Sequence, residues 1–346
     1  MKTEAAILTQ SGVPPQVVEL DIPSLKPGQT LVETLYSGVC RTQLLECRGH
    51  RGADPFLPHC LGHEGSGIVR ETGAGVTKVK AGDKVILSWI KGSGADVPGS
   101  VYTWNGKKVN SGAIATFNRF SVISENRLTP VSGDVPMREA SLLGCAMATG
   151  LGTVINTLGA RPGQSIAVFG AGGVGLCAVA GAFLSGCSPI IAVDVLKNKL
   201  EAAKQLGATH LIDASCCDPL KEIRSIVKNG LDLAVESSGI TAVIAQALSC
   251  VRGQGGTAAV IGNVHYGQKA EIDPAQFNAG KRLLGTWGGD TIPDRDYPRY
   301  MRLITAGRLN LGPLVSRSYK LSDISAALDN LESGADLRPL IDMSLK

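Results

Sequence analysis

Cys40, His63 and Cys145 lie far apart in the chain, yet they are the side-chain types that hold a soft divalent metal. Two thiolates and one imidazole suit zinc, and three protein ligands leave the fourth tetrahedral position for water or a substrate oxygen. On spacing alone, Cys40 and Cys145 read equally well as buried thiols, because free cysteine packs as a small hydrophobe. A second pattern has a more specific context. The strand-like run SIAVF leads directly into Gly170-Ala171-Gly172-Gly173-Val174-Gly175 and then a helical stretch. Gly170 permits a sharp turn, Gly172 lets the backbone touch a pyrophosphate, and Gly175 lets the helix pack closely on the sheet. Free N–H groups of Gly173 and Val174 at the helix start would receive the anion. Asp194 ends the next strand, about 20 residues further on. There it would accept hydrogen bonds from ribose hydroxyls and repel a 2′-phosphate, favouring NAD over NADP. The alternative is a glycine-rich packing turn with a strand-end Asp capping a helix.

These residues need elements to place them. Residues 1–146 contain short runs such as TLVETLYSGV, EGSGIVRET and KVILSW between punctuation such as LKPGQT and VKAGDK, the rhythm of antiparallel β-structure. After Pro136, MREASLLGCAMATGLGTVINTL has apolar residues at helical spacing, with Gly159 and Pro162 as a stop, so one helix is predicted to bridge two regions. From Ser165 the pattern alternates. Strands SIAVF, IIAVD, HLI, LDLAVE and TAAVIG are separated by helices over 173–186, 197–206, 219–228 and 240–250. That alternation predicts a doubly wound parallel sheet. Residues 296–306, 322–332 and 338–343 read as helix, helix and strand returning to the first region. The fold class is therefore α/β: a mostly-β domain over 1–146 and 289–346, and a Rossmann dinucleotide-binding domain over 147–288.

Composition narrows the function classes. With 346 residues and 44% apolar content, both domains can build a core. The net charge of +4 is spread without a basic run, so neither nucleic acid nor a charged membrane surface is expected as a partner. Nine cysteines, an odd number in a long chain, favour reduced thiols and a cytoplasmic location. The opening MKTEAAILTQSG reads as a strand rather than a secretory leader. The uncharged stretch from Pro162 to Val193 is long enough to span a bilayer, but its glycines and Pro189 make it strand, turn, helix and strand instead.

Several motifs occur in the order of one family: Gly38-Val39-Cys40-Arg41-Thr42, Gly62-His63-Glu64-Gly65, Leu143-Gly144-Cys145 with Thr149, the glycine fingerprint, Asp194 with Lys199, and Asp336-Leu337-Arg338. Essentially end to end, the chain resembles the zinc-dependent medium-chain alcohol dehydrogenases, whose mostly-β domain is GroES-like. The resemblance implies that Cys40, His63 and Cys145 hold a catalytic zinc, with Glu64 just behind it or as an alternative ligand. It implies that Thr42 passes the alcohol proton, that Arg41 and Arg338 flank the pyrophosphate, and that Lys199 lies near the adenosine ribose. Trp89 and Thr149 would line the inner barrel, Trp89 facing the substrate and Thr149 among the residues that bind the cofactor. It also implies a homodimer or homotetramer, with residues 283–287 as a plausible edge.

The chain departs from the family in four places. Gly92 to Gly112, which matches a four-cysteine zinc lobe in many relatives, contains no cysteine, so one zinc per chain is predicted and packing of Tyr102 and Trp104 is expected to hold the lobe. Cys47 and Cys60 match no ligand position and read as packed thiols. Leu45 stands where the liver-type proton relay has a histidine, leaving His50 as a substitute if its loop folds over the ribose. Gln43 stands where a carboxylate usually follows, so a neutral amide would orient His63. The segment between Cys40 and His63 is slightly longer than usual and places His50 and Arg51 at the pocket mouth, which predicts a polar alcohol substrate, anionic or sugar-like. Three other readings compete: a non-catalytic nucleotide-binding relative, a zinc-free quinone reductase and a polyol dehydrogenase. Retention of all three ligands argues against the first two, and Cys145 in place of the usual Glu argues against the third.

Overall fold

Frequent turn signals keep the N-terminal strands short: β1 (Lys2–Leu8), β2 (Gln16–Asp21), β3 (Gln29–Gly38), β4 (His59–Cys60), β5 (Glu64–Thr72), β6 (Lys84–Ser88), β7 (Val101–Trp104), β8 (Lys107–Asn110), β9 (Phe120–Ser124) and β10 (Leu128–Pro130), with one short helix, α1 (Arg41–Cys47). This architecture comes from a computed structural model that describes residues 1–315 and 317–345. Strands β1, β2, β7, β8 and β4 close a small barrel around Ile7, Leu20 and Tyr102. Strands β10, β6, β5 and β3 form a sheet, with β9 also paired to β3.

The cysteine-free segment is built into this barrel. Asn105 and Gly106 both have positive φ, 49° and 78°, and form the two-residue turn that joins β7 to β8. Tyr102 is buried and its hydroxyl accepts from Val122 N at 2.7 Å, while Trp104 packs on the same core. Glu125 anchors the entry to the segment by accepting from Ala95 N at 2.9 Å and from the backbone of Thr77 and Lys78. Barrel pairing and a buried tyrosine hold this cysteine-free segment in place.

The single helix expected after Pro136 is broken. It comprises α2 (Met137–Ala140), a 3₁₀ turn over Ser141–Gly144, α3 (Ala146–Gly152) and a π turn over Thr153–Thr157. Cys145, between them, has φ −150° and ψ −69°. Helical periodicity continues through this segment, but an uninterrupted helix would keep the Cys145 thiol on its own face. The break frees that side chain to turn toward Cys40 and His63.

From Ser165 the chain alternates through β11 (Ile166–Phe169), α4 (Gly173–Leu184), β12 (Ile190–Asp194), α5 (Lys197–Gln205), β13 (His210–Asp213), α6 (Pro219–Ile226), β14 (Leu233–Glu236), α7 (Thr241–Cys250), β15 (Thr257–Val260), α8 (Ala275–Asn278) and β16 (Arg282–Gly285). All six strands are parallel in the order β13-β12-β11-β14-β15-β16, a doubly wound Rossmann sheet. The uncharged stretch folds as β11, α4 and β12 with most of its apolar residues buried, Phe183 being exposed, and among the described residues no single helix is long and apolar enough to cross a membrane.

The chain ends with α9 (Pro293–Thr305), β17 (Ser318–Tyr319), α10 (Ile324–Ser333) and β18 (Leu340–Asp342). β18 runs antiparallel to β3, pairing Leu340 with Gly38 and Ile341 with Ser37, and β17 extends the same sheet. Two units result: Met1–Cys145 with Ile292–Lys346, which is the GroES-like part, and Ala146–Thr291, the Rossmann part. Ser316 and Lys346, inside the expected range 289–346, lie outside the described residues.

Candidate functional site

Cys40 stands between β3 and α1 with extended backbone angles, φ −110° and ψ 150°, and serves as the N-cap position of the helix. His63 lies in the turn that enters β5, and Cys145 lies at the helix break. The donor atoms of these three residues all lie within 4.8 Å of one another, the one such metal-competent group found among the described residues. His63 Nε2 is 3.2 Å from Cys145 Sγ. Tetrahedral zinc with Zn–S near 2.3 Å and Zn–N near 2.0 Å needs donors roughly 3.5–3.8 Å apart. The soft donor set and its spacing therefore fit zinc. Cys40 and Cys145 are only 6% and 7% exposed. The Cys145 thiol bonds to the Cys40 sulfur, and with the nearby charges of Arg338 and His63 this outweighs burial and holds Cys40 well below the ordinary thiol range. The same bond and burial hold Cys145 well above it. Burial opposes protonation of His63, but the Cys40 charge outweighs it and raises the imidazole.

Gln43, on α1, meets His63 Nδ1 with its side-chain amide, and its Oε1 has no hydrogen-bond partner among the described residues. When Nε2 binds a metal, the ring proton sits on Nδ1, which requires an acceptor. A half-turn of the amide presents Oε1 to that proton and satisfies the orphaned oxygen; crystallographic amides are assigned by the same reasoning. Gln43→Leu keeps the volume but removes the acceptor. Its zinc affinity is expected to fall about 10- to 100-fold, read by competition with a chromogenic chelator.

Glu64, the first residue of β5, is fully buried, and its carboxylate accepts from the guanidinium of Arg338, which is 2% exposed. Burial disfavours the charged guanidinium, but Glu64 and the two cysteines outweigh it and raise its pKa. Glu64 thus stands behind the three ligands, paired to Arg338, and the metal-competent group does not include it. Arg338, expected beside a pyrophosphate, is buried where β18 pairs with β3 and meets Glu64 through Nη2, while its Nε has no partner among the described residues.

The other expected residues of this unit are spread along α1 and β6. Thr42 Oγ1 is 3.8 Å from Cys40 Sγ. Arg41 and His50 are exposed at the two ends of the α1 segment, and His50 is not brought to the metal group. Trp89, half-buried just after β6, accepts from Arg127 through its carbonyl. Arg51 Nη1 lies 3.3 Å from Glu46 Oε1. Cys47 and Cys60 are buried in the apolar cores, where burial pushes each thiol up to about 12.

A cavity of about 540 Å³ opens beside this centre, lined by Gln43 and His63 and by Glu46, Arg51, Asp54 and His59. Burial pushes the Glu46 carboxyl up despite Arg51 beside it. Sequence reasoning identified Arg51 and missed Glu46, Asp54 and His59. The available signal was the density of charged residues in the lengthened segment between Cys40 and His63.

In the Rossmann unit, Gly170 follows β11 with φ +87°, and a Cβ there would lie 2.8 Å from Ser238 N. A Cβ on Gly175 would lie 1.9 Å from Gly170 O, so only glycine lets α4 start against this turn. Nothing lies within 4 Å of the Cβ position of Gly172, which leaves backbone open to a ligand, and α4 begins at Gly173 and Val174 with their N–H groups at its N-terminal end. Asp194 accepts from Ala171 N at 2.7 Å and from Val195 N and Leu196 N at 2.8 and 3.0 Å. Its carboxylate therefore ties the fingerprint turn to the end of β12 and caps the backbone entering α5, the structural role offered above as the alternative reading. Lys199 is half-buried on α5. The Thr149 hydroxyl, on α3, has no partner among the described residues, as expected of a group that awaits a ligand. The open glycine backbone and this orphaned hydroxyl fit a dinucleotide.

Comparison with known proteins agrees with this chemistry. The chain matches the alcohol dehydrogenase GroES-like domain over residues 26–133 and the zinc-binding dehydrogenase domain over residues 173–306. An S-(hydroxymethyl)glutathione dehydrogenase of Synechocystis sp. is 33% identical, over 99% of this chain and 100% of its own length. Among solved structures, an alcohol dehydrogenase zinc-binding domain protein from Burkholderia ambifaria has a TM-score of 0.90 at 31% identity, covering 99% of both chains. Benzyl alcohol dehydrogenase from Acinetobacter calcoaceticus has a TM-score of 0.89 at 32% identity, again covering 99% of both. A donor triangle made for zinc, a Rossmann turn open to a dinucleotide and full-length relatives lead to one conclusion: the chain belongs to the zinc-dependent medium-chain dehydrogenase family of alcohol oxidoreductases.

Proposed function

We propose that this zinc-dependent alcohol oxidoreductase uses one zinc per chain and NAD, converting an alcohol to its aldehyde or ketone and running the reverse reduction. The observation that carries this reading is the convergence of Cys40, His63 and Cys145 in a chain whose Gly92 to Gly112 segment has no cysteine. Cys40 and Cys145 as thiolates and His63 through Nε2 would hold the ion. When bound, zinc supplies a Lewis acid toward the alcohol oxygen, and the dinucleotide supplies the hydride acceptor. The two thiolates would balance the charge of a dication, so the site would not hold an anionic oxygen too tightly. Thr42, beside Cys40, is the hydroxyl that would take the alcohol proton and lead it outward, with exposed His50 as the candidate outer acceptor in place of the residue at Leu45. Glu64, through Arg338, keeps the region behind the ligands rigid and dry. Residues Arg41, Thr149, Lys199 and the fingerprint glycines would hold the dinucleotide. The exposed edge of β16 is where a second copy would add a strand across a twofold axis.

Metal analysis together with NADH formation on an alcohol panel tests the reading. One zinc per chain and turnover support it, whereas a zinc-loaded, folded protein that oxidises no alcohol overturns it. Cofactor choice has its own test. Asp194→Asn keeps an oxygen for Ala171 N but removes the negative charge that opposes a 2′-phosphate. The preference for NAD over NADP, as a ratio of kcat/KM, is expected to fall at least about tenfold, equal to ~1.4 kcal/mol of lost discrimination.

A further inference from the structure

The Rossmann unit carries a pair of thiols that neither the metal centre nor the dinucleotide turn uses. Cys216 and Cys217 are adjacent in the loop between β13 and α6; Cys216 is exposed and Cys217 half-buried, whereas the other seven cysteines are all buried. Asp213, the last residue of β13, organises the pair. Its Oδ1 accepts from Ser215 N at 2.9 Å and from the Ser215 hydroxyl, which folds the chain into a tight turn. Its carbonyl oxygen accepts from Cys216 Sγ at 3.3 Å and from Cys217 Sγ at 3.2 Å. The two thiols also hydrogen-bond to each other. Neighbouring side chains on an extended chain point to opposite faces, but here the turn brings both sulfurs to one oxygen. The same turn abuts Asp194. Asp213 lies beside it in parallel register, and Ala214 N donates to Asp194 O at 3.0 Å. Asp194 in turn braces the glycine fingerprint through Ala171 N.

We propose that Cys216 and Cys217 form a dithiol site for a thiophile that bridges two sulfurs, a mono-organic trivalent arsenical R–As(OH)2, and that its capture weakens dinucleotide binding through Asp194. Two As–S bonds form and two As–OH bonds break. Each thiol proton leaves with a hydroxide as water, and neither arsenic nor sulfur changes oxidation state. A soft centre suits the pair because sulfur donors select soft partners over hard ones. Geometry favours a bridging atom over a direct disulfide. Cα atoms joined by a trans peptide, as these are, lie about 3.8 Å apart, short of the ~4.4–6.8 Å usual for disulfides. An atom inserted between the sulfurs relaxes that constraint. Once bridged, neither sulfur carries a proton, so Asp213 O loses both S–H donors and the turn against Asp194 loosens. Only this last consequence rests on the proposed dinucleotide site; capture itself does not.

The test uses the purified zinc-loaded protein and phenylarsine oxide, read by intact-mass spectrometry and proteolytic mapping. One phenylarsenic adduct per chain is expected on the peptide holding Cys216 and Cys217, with zinc retained. A chelating dithiol, 2,3-dimercaptopropanol, should remove it where 2-mercaptoethanol at equal concentration does not. Cys216→Ser and Cys217→Ser should each lower the apparent affinity for phenylarsine oxide at least about tenfold, because the second sulfur binds at high effective concentration. An adduct that survives unchanged in both variants, or that forms with release of zinc, overturns the site. Prior treatment with glutathione disulfide should leave the pair open to the arsenical; a block without added glutathione mass means that the sulfurs have joined directly, and the bridging argument fails. NADH affinity, followed by fluorescence, is expected to fall at least about fivefold in the modified wild type and to be unaffected by the reagent in either serine variant. Unchanged NADH affinity in the singly modified protein overturns the coupling to Asp194. No NADH binding before treatment overturns the dinucleotide reading instead, and the adduct still decides the dithiol site.

Discussion

Cys145→Ser is expected to leave a folded protein that retains little zinc and whose kcat/KM on any alcohol substrate falls at least about a thousandfold, ~4 kcal/mol of transition-state stabilisation. Serine is nearly isosteric with cysteine, but its hydroxyl stays protonated near neutrality and is a poor partner for a soft cation. The Cys145 thiol is 7% exposed and bonds to the Cys40 sulfur, so its loss removes both a donor and the group that organises the other thiolate. Cys47→Ser and Cys60→Ser make the same atomic change in apolar cores, where burial pushes each thiol up to about 12. Those variants should keep their zinc and lose only stability, about 1–3 kcal/mol for a buried hydroxyl without a partner. Metal content by mass spectrometry, steady-state rates and thermal melts on all three proteins distinguish a ligand from a packed thiol. Retention of stoichiometric zinc and normal rates by Cys145→Ser would falsify the assignment.

The second large effect concerns stability. Arg338→Met leaves Glu64, a fully buried carboxylate, facing an apolar side chain, and the expected loss is ~3–5 kcal/mol in the free energy of unfolding. The double variant Glu64→Gln with Arg338→Met removes the charge as well and should recover a substantial part of that loss. A chemical-denaturation series of wild type, both single variants and the double variant measures the coupling. If Arg338→Met unfolds at the wild-type midpoint, the two groups do not depend on each other as the structure indicates. The zinc content of Arg338→Met reports a second consequence. The arginine charge helps hold the Cys40 thiol low, so its removal should weaken metal retention in the same variant.

Local chemistry made much of this protein legible from its amino acids. Alternation of strands and helices from Ser165 onward follows from side-chain period and turn residues, and the Gly170 to Gly175 turn shows its purpose because only glycine tolerates φ +87° and a 1.9 Å approach at those places. The Cys40, His63 and Cys145 set was readable by residue type, and became specific through family resemblance. Tertiary packing decided the rest. Arg338 meets Glu64 across 274 positions because β18 lies against β3, a contact that no periodicity encodes. The break at Cys145 interrupts a segment whose apolar pattern is helical throughout, because three donors must converge. Asn105 and Gly106 form a local hairpin turn, but that β7 and β8 complete the barrel with β2 and β4 depended on strands far away in the chain. Glu46, Asp54 and His59 look like ordinary surface charges until folding places them around one cavity. Sequence determines the conformations that each short stretch can adopt; which distant stretches share a wall or an ion is settled by burial of the whole chain, where the interaction energies of remote residues are summed.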